Sequence, residues 1–329
     1  MKKLVIGMLA LGLMLTGCGT GNSGSSNEAK DLSEVKIGVI QLMQHDSLDQ
    51  AYEGFEEVLL AAGVQKDNID YQVAGEQSNC DTVADTLVNG GNDLIYAIAT
   101  PALQAAAAKT TDIPIVGCAV TDYESTKLVS SNDAPGGNVT GASDLTPVAE
   151  QFDLLTQLLP DAKKVAIMYC GSEDNSRIQG DIAEAAAKDK NLEYKVYTVT
   201  DSNDIQSVTE KIISDQNDVI YIPTDNLLAT YITSVEAIAS PAGIPIIPGA
   251  EAMAADGGFA TYGLNYKNLG KLAGEQALAI LKGEKTAAET PIAYLGADDC
   301  QLIINLKVAK NCGLSTNKAD YPENATFVE

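Results

Sequence analysis

Two segments of this 329-residue chain repeat one pattern. The first starts at Asn92 and reads NDLIYAIATPALQAAAAKTTDIPIVG, and the second starts at Asn217 and reads NDVIYIPTDNLLATYITSVEAIASPAGIPIIPG. Each has an Asn-Asp pair, a short apolar run, a polar turn, an Ala-rich stretch with helical character, and Ile-Pro-Ile before a Gly. Self-similarity of this kind predicts two copies of one structural unit.

The flanking sequence extends the repeat to a whole domain. Apolar runs at residues 35–40 (VKIGVI) and 163–169 (KKVAIMY) open the two halves, and each half then alternates strand-like and helix-like segments as β-α-β-α-β-α-β. This alternation predicts parallel sheets covered by helices on both faces. The expected fold class is therefore α/β, with two doubly wound parallel-sheet lobes joined by hinge strands.

Two segments are candidates for the hinge strands, NVTGA near residue 140 and GFATYGLN at 258–265. With crossings there, the first lobe is expected at residues 35–143 plus about 264–287. The second lobe is expected at 144–263 plus about 288–329.

The first residues predict export and lipid attachment. A basic MKK is followed by the apolar LVIGMLALGLML and then by LTGC, which ends at Cys18. Such an apolar run is too short to span a bilayer, and small residues before a Cys are typical of a lipoprotein signal. Residues 1–17 are therefore expected to be a signal peptide, with Cys18 as the lipidated first residue. Residues 18–34, rich in Gly, Ser and Asn, are expected to form a flexible tether.

Composition excludes one broad function class. The formal net charge is −24, so the chain offers no basic surface to nucleic-acid phosphates. The sequence also has no GxSxG motif, no CxxC pair and no His-rich cluster, and its only histidine is His45. We therefore expect no enzymatic role, no metal and no cofactor. Whether Cys300 and Cys312 pair is left open by the sequence.

Polar residues follow the predicted strands in both halves. In open parallel sheets, ligands bind outside the carboxyl ends of the strands, where helices begin. Free N–H groups near Thr100 and Ser172 would suit a carboxylate, whereas Asp122, Asp225 and Glu251 would suit an ammonium group. A cleft offering both kinds of group predicts a zwitterion, and hence an amino acid, as the ligand.

Several short motifs resemble one family of binding proteins: HDSLD, GNDLIYAIATPA, APGGNVTG, SEDNS, PTDN and GLNYKNLGKLAGEQALAILKG. Together they resemble the substrate-binding lipoproteins of ABC transporters, in the family that includes tryptophan- and phenylalanine-binding members. The resemblance covers residues 35 to about 313 and implies a type I periplasmic-binding-protein fold. It further implies capture of an aromatic amino acid for a permease and its ATPase, by a monomer held outside the cytoplasm on a lipid anchor. By position, the resemblance implies a pocket lined by Ser47, Leu48, Thr100, Asp122, Ser172, Asn175, Thr224, Asp225, Asn226 and Glu251.

Other functions remain open at this level. A binding protein of the same shape could take a nucleoside, a sugar or an autoinducer, and a sensor subunit could present its ligand to a membrane kinase. Absence of Trp argues mildly against a sugar site, because sugars commonly stack on that side chain.

Overall fold

A computed structural model describes residues 31–296 and 299–329. Its strands are β1 Ile37–Gln41, β2 Ile69–Val73, β3 Leu94–Ile98, β4 Ile115–Cys118, β5 Val139–Ser143, β6 Lys164–Cys170, β7 Glu193–Val199, β8 Val219–Ile222, β9 Ile246–Pro248, β10 Ala260–Leu264, β11 Ala293–Tyr294, β12 Cys300–Asn305 and β13 Thr326–Val328. Its helices are α1 Asp46–Ala61, α2 Cys80–Asn89, α3 Thr100–Lys109, α4 Val148–Leu158, α5 Asp174–Asp189, α6 Asp204–Ser214, α7 Asn226–Thr230, α8 Ile232–Ala239, α9 Glu251–Asp256, α10 Tyr266–Leu281 and α11 Leu306–Asn311.

The strands form two lobes. The first lobe is a six-stranded parallel sheet in the order β11-β5-β4-β3-β1-β2 with its helices. The second lobe holds the parallel sheet β7-β6-β8-β9 and the mixed sheet β10-β12-β13. Every residue of β1, β3 and β4 is buried, as expected of strands with helices on both faces. These sheets confirm the predicted α/β class.

Helix α1 packs on the first sheet through one apolar stripe. Leu48, Ala51, Phe55 and Leu59 are buried at spacings of three and four residues. Its other neighbour is α10, which lies so close that a Cβ added to Gly54 would sit 2.0 Å from the carbonyl oxygen of Lys267. The absence of a side chain there lets the two backbones touch, which fixes α10 and its first residue, Tyr266, to the first lobe.

The chain crosses between the lobes after β5, after β10 and between β11 and β12. The expected return to the second lobe near residue 288 is wrong. Strand β11 pairs with β5, and Thr140 Oγ1 donates to the carbonyl oxygen of Thr290 at 2.7 Å, so this segment belongs to the first sheet. A two-residue edge strand carries no sequence signal for the sheet it joins.

The five cysteines in the described residues are free thiols. Cys300 and Cys312, whose pairing the sequence left open, lie on β12 and at the end of α11. Cys312 Sγ instead lies 3.4 Å from Ser240 Oγ.

Candidate ligand-binding cleft

A cavity lies between the lobes, at the edge where the parallel strands of both sheets end. This is where ligands bind in open α/β sheets. Its lining comes from the segments after β1, β4, β5, β8 and β9 and from the starts of α5 and α10: His45, Ser47, Leu48, Ala119, Asp144, Asn175, Thr224, Asp225, Asn226, Ala229, Ala250, Met253 and Tyr266. We call this cavity the cleft. A neighbouring depression shares Asn175 with it and is also lined by Thr100 and Asp122.

Buried polar atoms without hydrogen-bond partners concentrate here. Among the described residues, eight buried side-chain nitrogen or oxygen atoms lack a partner. Four of them belong to residues that line the cleft or the neighbouring depression: His45 Nδ1, Ser47 Oγ, Thr100 Oγ1 and Asn175 Oδ1. A fifth, Glu251 Oε1, belongs to the residue that follows the lining residue Ala250. Leaving such an atom unpaired costs about 1–3 kcal/mol each. Their convergence indicates that a polar ligand completes these hydrogen bonds.

Three carboxylates at the cleft are almost fully buried. Asp144, Glu173 and Asp225 are 4%, 4% and 1% exposed, and Glu173 lies behind Asn175 and Asn226. No ion pair in the described part of the chain joins them to a lysine or arginine. Burial raises the pKa of each, and the charge of Asp225 raises that of Glu173 further. Because buried charges need a partner, this group of acids suits a cationic group on a ligand.

The carboxylate of Glu173 organises the second-lobe wall. It accepts hydrogen bonds from the side-chain amides of Asn175 and Asn226 and from the backbone N–H of Leu227. Asn226 in turn meets His45 of the first lobe, with 3.4 Å between Oδ1 and Nε2. Glu173 therefore orients the amide that connects the lobes at this edge of the cleft.

Asp144 forms the centre of a second polar network, near the crossing after β5. Thr121 Oγ1 donates to its Oδ1 at 3.2 Å and the Tyr266 hydroxyl to its Oδ2 at 2.8 Å. Gln179 Nε2 donates to Thr121 Oγ1 at 3.1 Å and also to Thr224 Oγ1. Side chains from both lobes thus hold Asp144 in one position at the cleft wall.

Asp225 lines the cleft but is held by backbone groups. Its Oδ1 accepts from the N–H of Leu228 at 2.8 Å, which caps α7, and its Oδ2 accepts from the N–H of Cys170 at 2.6 Å. A carboxylate has further lone pairs, so it can still accept from a ligand. Its structural role is nevertheless defined by these two bonds.

The ten predicted site residues lie in three places. The structure brings Ser47, Leu48, Asn175, Thr224, Asp225 and Asn226 together in the cleft, and Glu251 follows the lining residue Ala250. Thr100 lies in the neighbouring depression with Asp122, whose Oδ1 accepts from the N–H groups of Glu124 and Ser125. Asp122 is therefore a turn residue outside the cleft. Ser172 is exposed and faces a different groove, beside Cys170 Sγ.

Sequence reasoning missed several lining residues. Asp144 and Tyr266 come from interlobe crossings, and only an acidic residue directly after a strand and a tyrosine opening a long helix could have drawn attention to them. His45 is the chain's only histidine, and a single histidine is more often structural than functional. Glu173 stands in the SEDNS motif beside the predicted residues Ser172 and Asn175. It does not line the cleft itself but lies behind the cleft wall and faces the same groove as Ser172.

The apolar part of the cleft is made of small side chains and two larger ones. Ala119, Ala229 and Ala250 line it together with Leu48 and Met253. Cys118 and Cys170, the last residues of β4 and β6, do not contribute to this lining. Cys118 is instead buried within the first sheet and Cys170 lines the groove that Ser172 faces. Ala119 has a positive φ of 55°, a conformation that alanine rarely adopts and that often marks a functional site.

Metal binding receives no support from side-chain arrangement. Across residues 31–296 and 299–329, no group of three or more His, Cys, Asp or Glu side chains is placed to hold an ion. What the cleft offers chemically is a set of hydrogen-bonding groups and buried carboxylates.

Comparison with known proteins identifies the family to which this architecture belongs. The sequence profile of the family described as ABC transporter substrate binding protein matches residues 36–321. A tyrosine-binding protein of Clostridioides difficile is 37% identical over 328 residues, which is 97% of this chain and 94% of that protein.

Two solved structures differ in how closely they superimpose on this protein. A domain from Streptococcus pneumoniae in complex with L-Trp superimposes with a TM-score of 0.84, at 34% identity, over 90% of this chain and 99% of that one. A ligand-free, open substrate-binding protein of Clostridium difficile has the same identity and coverage but a TM-score of 0.68. The lobes here are therefore arranged more as in the ligand complex. The fold is that of type I periplasmic binding proteins, and the chain belongs to the family of ABC transporter substrate-binding proteins.

Proposed function

We propose that this protein captures an aromatic L-amino acid in the cleft, outside the cytoplasm, and delivers it to an ABC permease. The observation that carries the proposal is the pairing of two kinds of group in one cavity. Buried carboxylates without a cationic partner in the described residues stand beside two hydroxyl groups, those of Ser47 and Thr100, and an amide oxygen of Asn175 that have no hydrogen-bond partner. A zwitterion satisfies both kinds at once.

The ammonium group belongs beside the acids. Asp144 and Asp225 line the cleft, and Glu173 lies behind the second-lobe wall, where it accepts from Asn226. Binding there would replace the lost hydration of the carboxylates by a charge-assisted hydrogen bond, which is about twice as strong as a neutral one. The ligand carboxylate would take donors from Ser47 and Thr100, whose hydroxyls have no partner.

The side chain belongs against the apolar wall. Ala229 and Met253 come from α7 and α9 of the second lobe, and Leu48 from α1 of the first. The alanines make this wall from small side chains, and burying an aromatic ring against it would contribute about 25 cal/mol per Å² of apolar area. The relatives support this choice, because one is a tyrosine-binding protein and another is in complex with L-Trp.

Titration calorimetry with the purified protein tests the proposal. L-tryptophan, L-tyrosine and L-phenylalanine should each bind more tightly than L-leucine, L-glutamate, ribose or uridine. Because the chain contains no Trp, added L-tryptophan excited at the red edge should also report its own burial by emission and anisotropy. Preferential binding of ribose or uridine, or no heat from any aromatic amino acid at millimolar concentration, would overturn the aromatic assignment.

A further inference from the structure

We propose that His45 Nδ1 is a specificity determinant: it accepts a hydrogen bond from the ligand ring, and so selects aromatic amino acids with a ring N–H or O–H over phenylalanine. This inference rests on the proposed function and goes further by dividing the aromatic amino acids into two classes. Three observations carry it: the tautomer of His45, the unpaired state of Nδ1, and the place of His45 in the cleft lining, just before Leu48 in the chain and in contact with Asn226.

The hydrogen-bond network assigns the tautomer. Asn226 Nδ2 donates to the carboxylate of Glu173, so the Asn226 oxygen must be the atom that meets His45. An amide oxygen only accepts, and therefore His45 Nε2 carries the proton and donates it across the lobes at 3.4 Å. In this neutral tautomer Nδ1 holds a lone pair and is an acceptor. Burial lowers the pKa of His45 to about 4, which keeps the ring neutral at pH 7.

The lone pair has no hydrogen-bond partner among residues 31–296 and 299–329. His45 keeps some exposure as a residue, but its Nδ1 is buried and makes no hydrogen bond. The unpaired hydroxyls of Ser47 and Thr100 can donate to a ligand carboxylate, whereas Nδ1 can only accept a hydrogen bond. A ligand that brings a donor to this point would complete the hydrogen bonding of His45.

The position of His45 indicates which group of the ligand is the donor. Its imidazole precedes α1, whose first turn supplies Leu48, and α1 packs against α9, which supplies Met253. Ala229 lies one turn beyond Asn226, the residue His45 contacts. His45 is thus linked to Leu48 through the start of α1 and to Ala229 through Asn226, and both of these apolar residues are assigned to the ligand side chain. A site built around such a hydrogen bond rejects a ligand that lacks the donor, because a buried polar atom is then left unpaired.

Ligand pairs test this on the unaltered protein. Calorimetry should show L-tyrosine binding at least about tenfold more tightly than L-phenylalanine. L-tryptophan should exceed L-3-benzothienylalanine, in which sulfur replaces the ring N–H at nearly constant shape, by a similar factor. Equal affinities within both pairs would overturn the proposal while leaving aromatic binding intact. Failure of all four ligands to bind would instead overturn the proposed function.

Two matched variants locate the effect at Nδ1. In His45→Gln, the amide can reach the Nε2 position and donate to Asn226, but the Nδ1 acceptor is gone, so the tyrosine-to-phenylalanine affinity ratio should fall towards one. In His45→Asn, the shorter amide can place an oxygen near the Nδ1 position, so part of the ratio should survive. Asp46→Asn changes an exposed neighbour and should leave the ratio as in the unaltered protein. A ratio that is unchanged in folded His45→Gln, checked by its melting temperature, would refute the role of Nδ1.

Discussion

The hydroxyl of Tyr266 donates to Asp144 Oδ2 at 2.8 Å, and both residues are buried at the wall of the cleft. One comes from the start of α10 and the other from the crossing after β5. The bond therefore fixes a buried carboxylate at the point where the two lobes are joined, and it lowers the pKa of Asp144 against the opposing effect of burial.

Tyr266→Phe should weaken both stability and binding. The substitution leaves one oxygen of Asp144 without a partner, so the free energy of unfolding should fall by about 1–3 kcal/mol. The pKa of Asp144 should rise further, which makes it a poorer partner for an ammonium at neutral pH. Denaturant unfolding and calorimetry measure the two effects. Tyr294→Phe, at a tyrosine that is 49% exposed, is the control and should change neither.

Glu173→Gln should reduce affinity for amino acids by about 2–5 kcal/mol, as when one member of a buried charge pair is lost. The loss should be much smaller for 3-(4-hydroxyphenyl)propionate, which resembles tyrosine without its ammonium group. Asp181→Asn, on the exposed face of α5, should bind as the unaltered protein does. Equal losses for tyrosine and the desamino analogue would show that Glu173 acts on the shape of the wall and not on the ligand charge.

Asp225→Asn should cost stability. An asparagine oxygen can still cap α7, but its NH₂ would then face the N–H of Cys170, so one buried hydrogen bond is lost. We expect the free energy of unfolding to fall by about 1–3 kcal/mol. Asp218→Asn is the matched control: Asp218 also accepts from two backbone N–H groups, those of Lys163 and Lys164, but it is exposed and should lose less. Unchanged stability with a loss of affinity would assign Asp225 to the ligand ammonium instead.

The lobes were predictable from the sequence because their signal is local and repeated. Each strand is a short apolar run and each helix a periodic one, so the parallel sheets follow from the order of the elements. Ser47, Asn175 and Thr224 stand after a strand, either before the following helix or in its first turn, and such segments lie at the edge of the sheet where ligands bind.

The other lining residues depend on distant parts of the chain. Asp122 and Asp144 look alike in sequence, as each is an Asp near the end of a strand. Local turn N–H groups bind Asp122, whereas Asp144 faces Tyr266, which lies far along the chain. Nothing in the sequence near either Asp distinguishes these outcomes. The same holds for His45, whose partner Asn226 belongs to the other lobe.

Cys18→Ala should release the protein from the membrane fraction. Cys18 lies outside the described residues, so the lipid anchor rests on the sequence pattern alone. Helices in the described residues are too short or too polar to cross a bilayer. Cell fractionation with a high-salt wash measures the effect, with the unaltered protein as control in the membrane pellet. A variant that stays in the washed pellet would show that another element holds the protein there.

The pH dependence of stability should report the burial of Glu251. Desolvation raises its pKa from 4.5 to about 7 in the folded protein, and its Oε1 has no partner. Between these two values the folded state binds more protons than the unfolded state, so its contribution to stability falls as the pH rises. His45, whose pKa is lowered to about 4, contributes the opposite slope up to about pH 6.5.

Comparing the unaltered protein with a Glu251 variant separates the contribution of Glu251 from that of His45. The free energy of unfolding of the unaltered protein minus that of Glu251→Gln should decrease from about pH 4.5 to about pH 7 and then stay constant, because His45 is common to both proteins. Glu210→Gln, at an exposed position on α6, should give a flat difference over the same range. If the difference for Glu251→Gln also did not change with pH, water would reach this carboxyl freely. Glu251 would then not be a buried group that a ligand could satisfy.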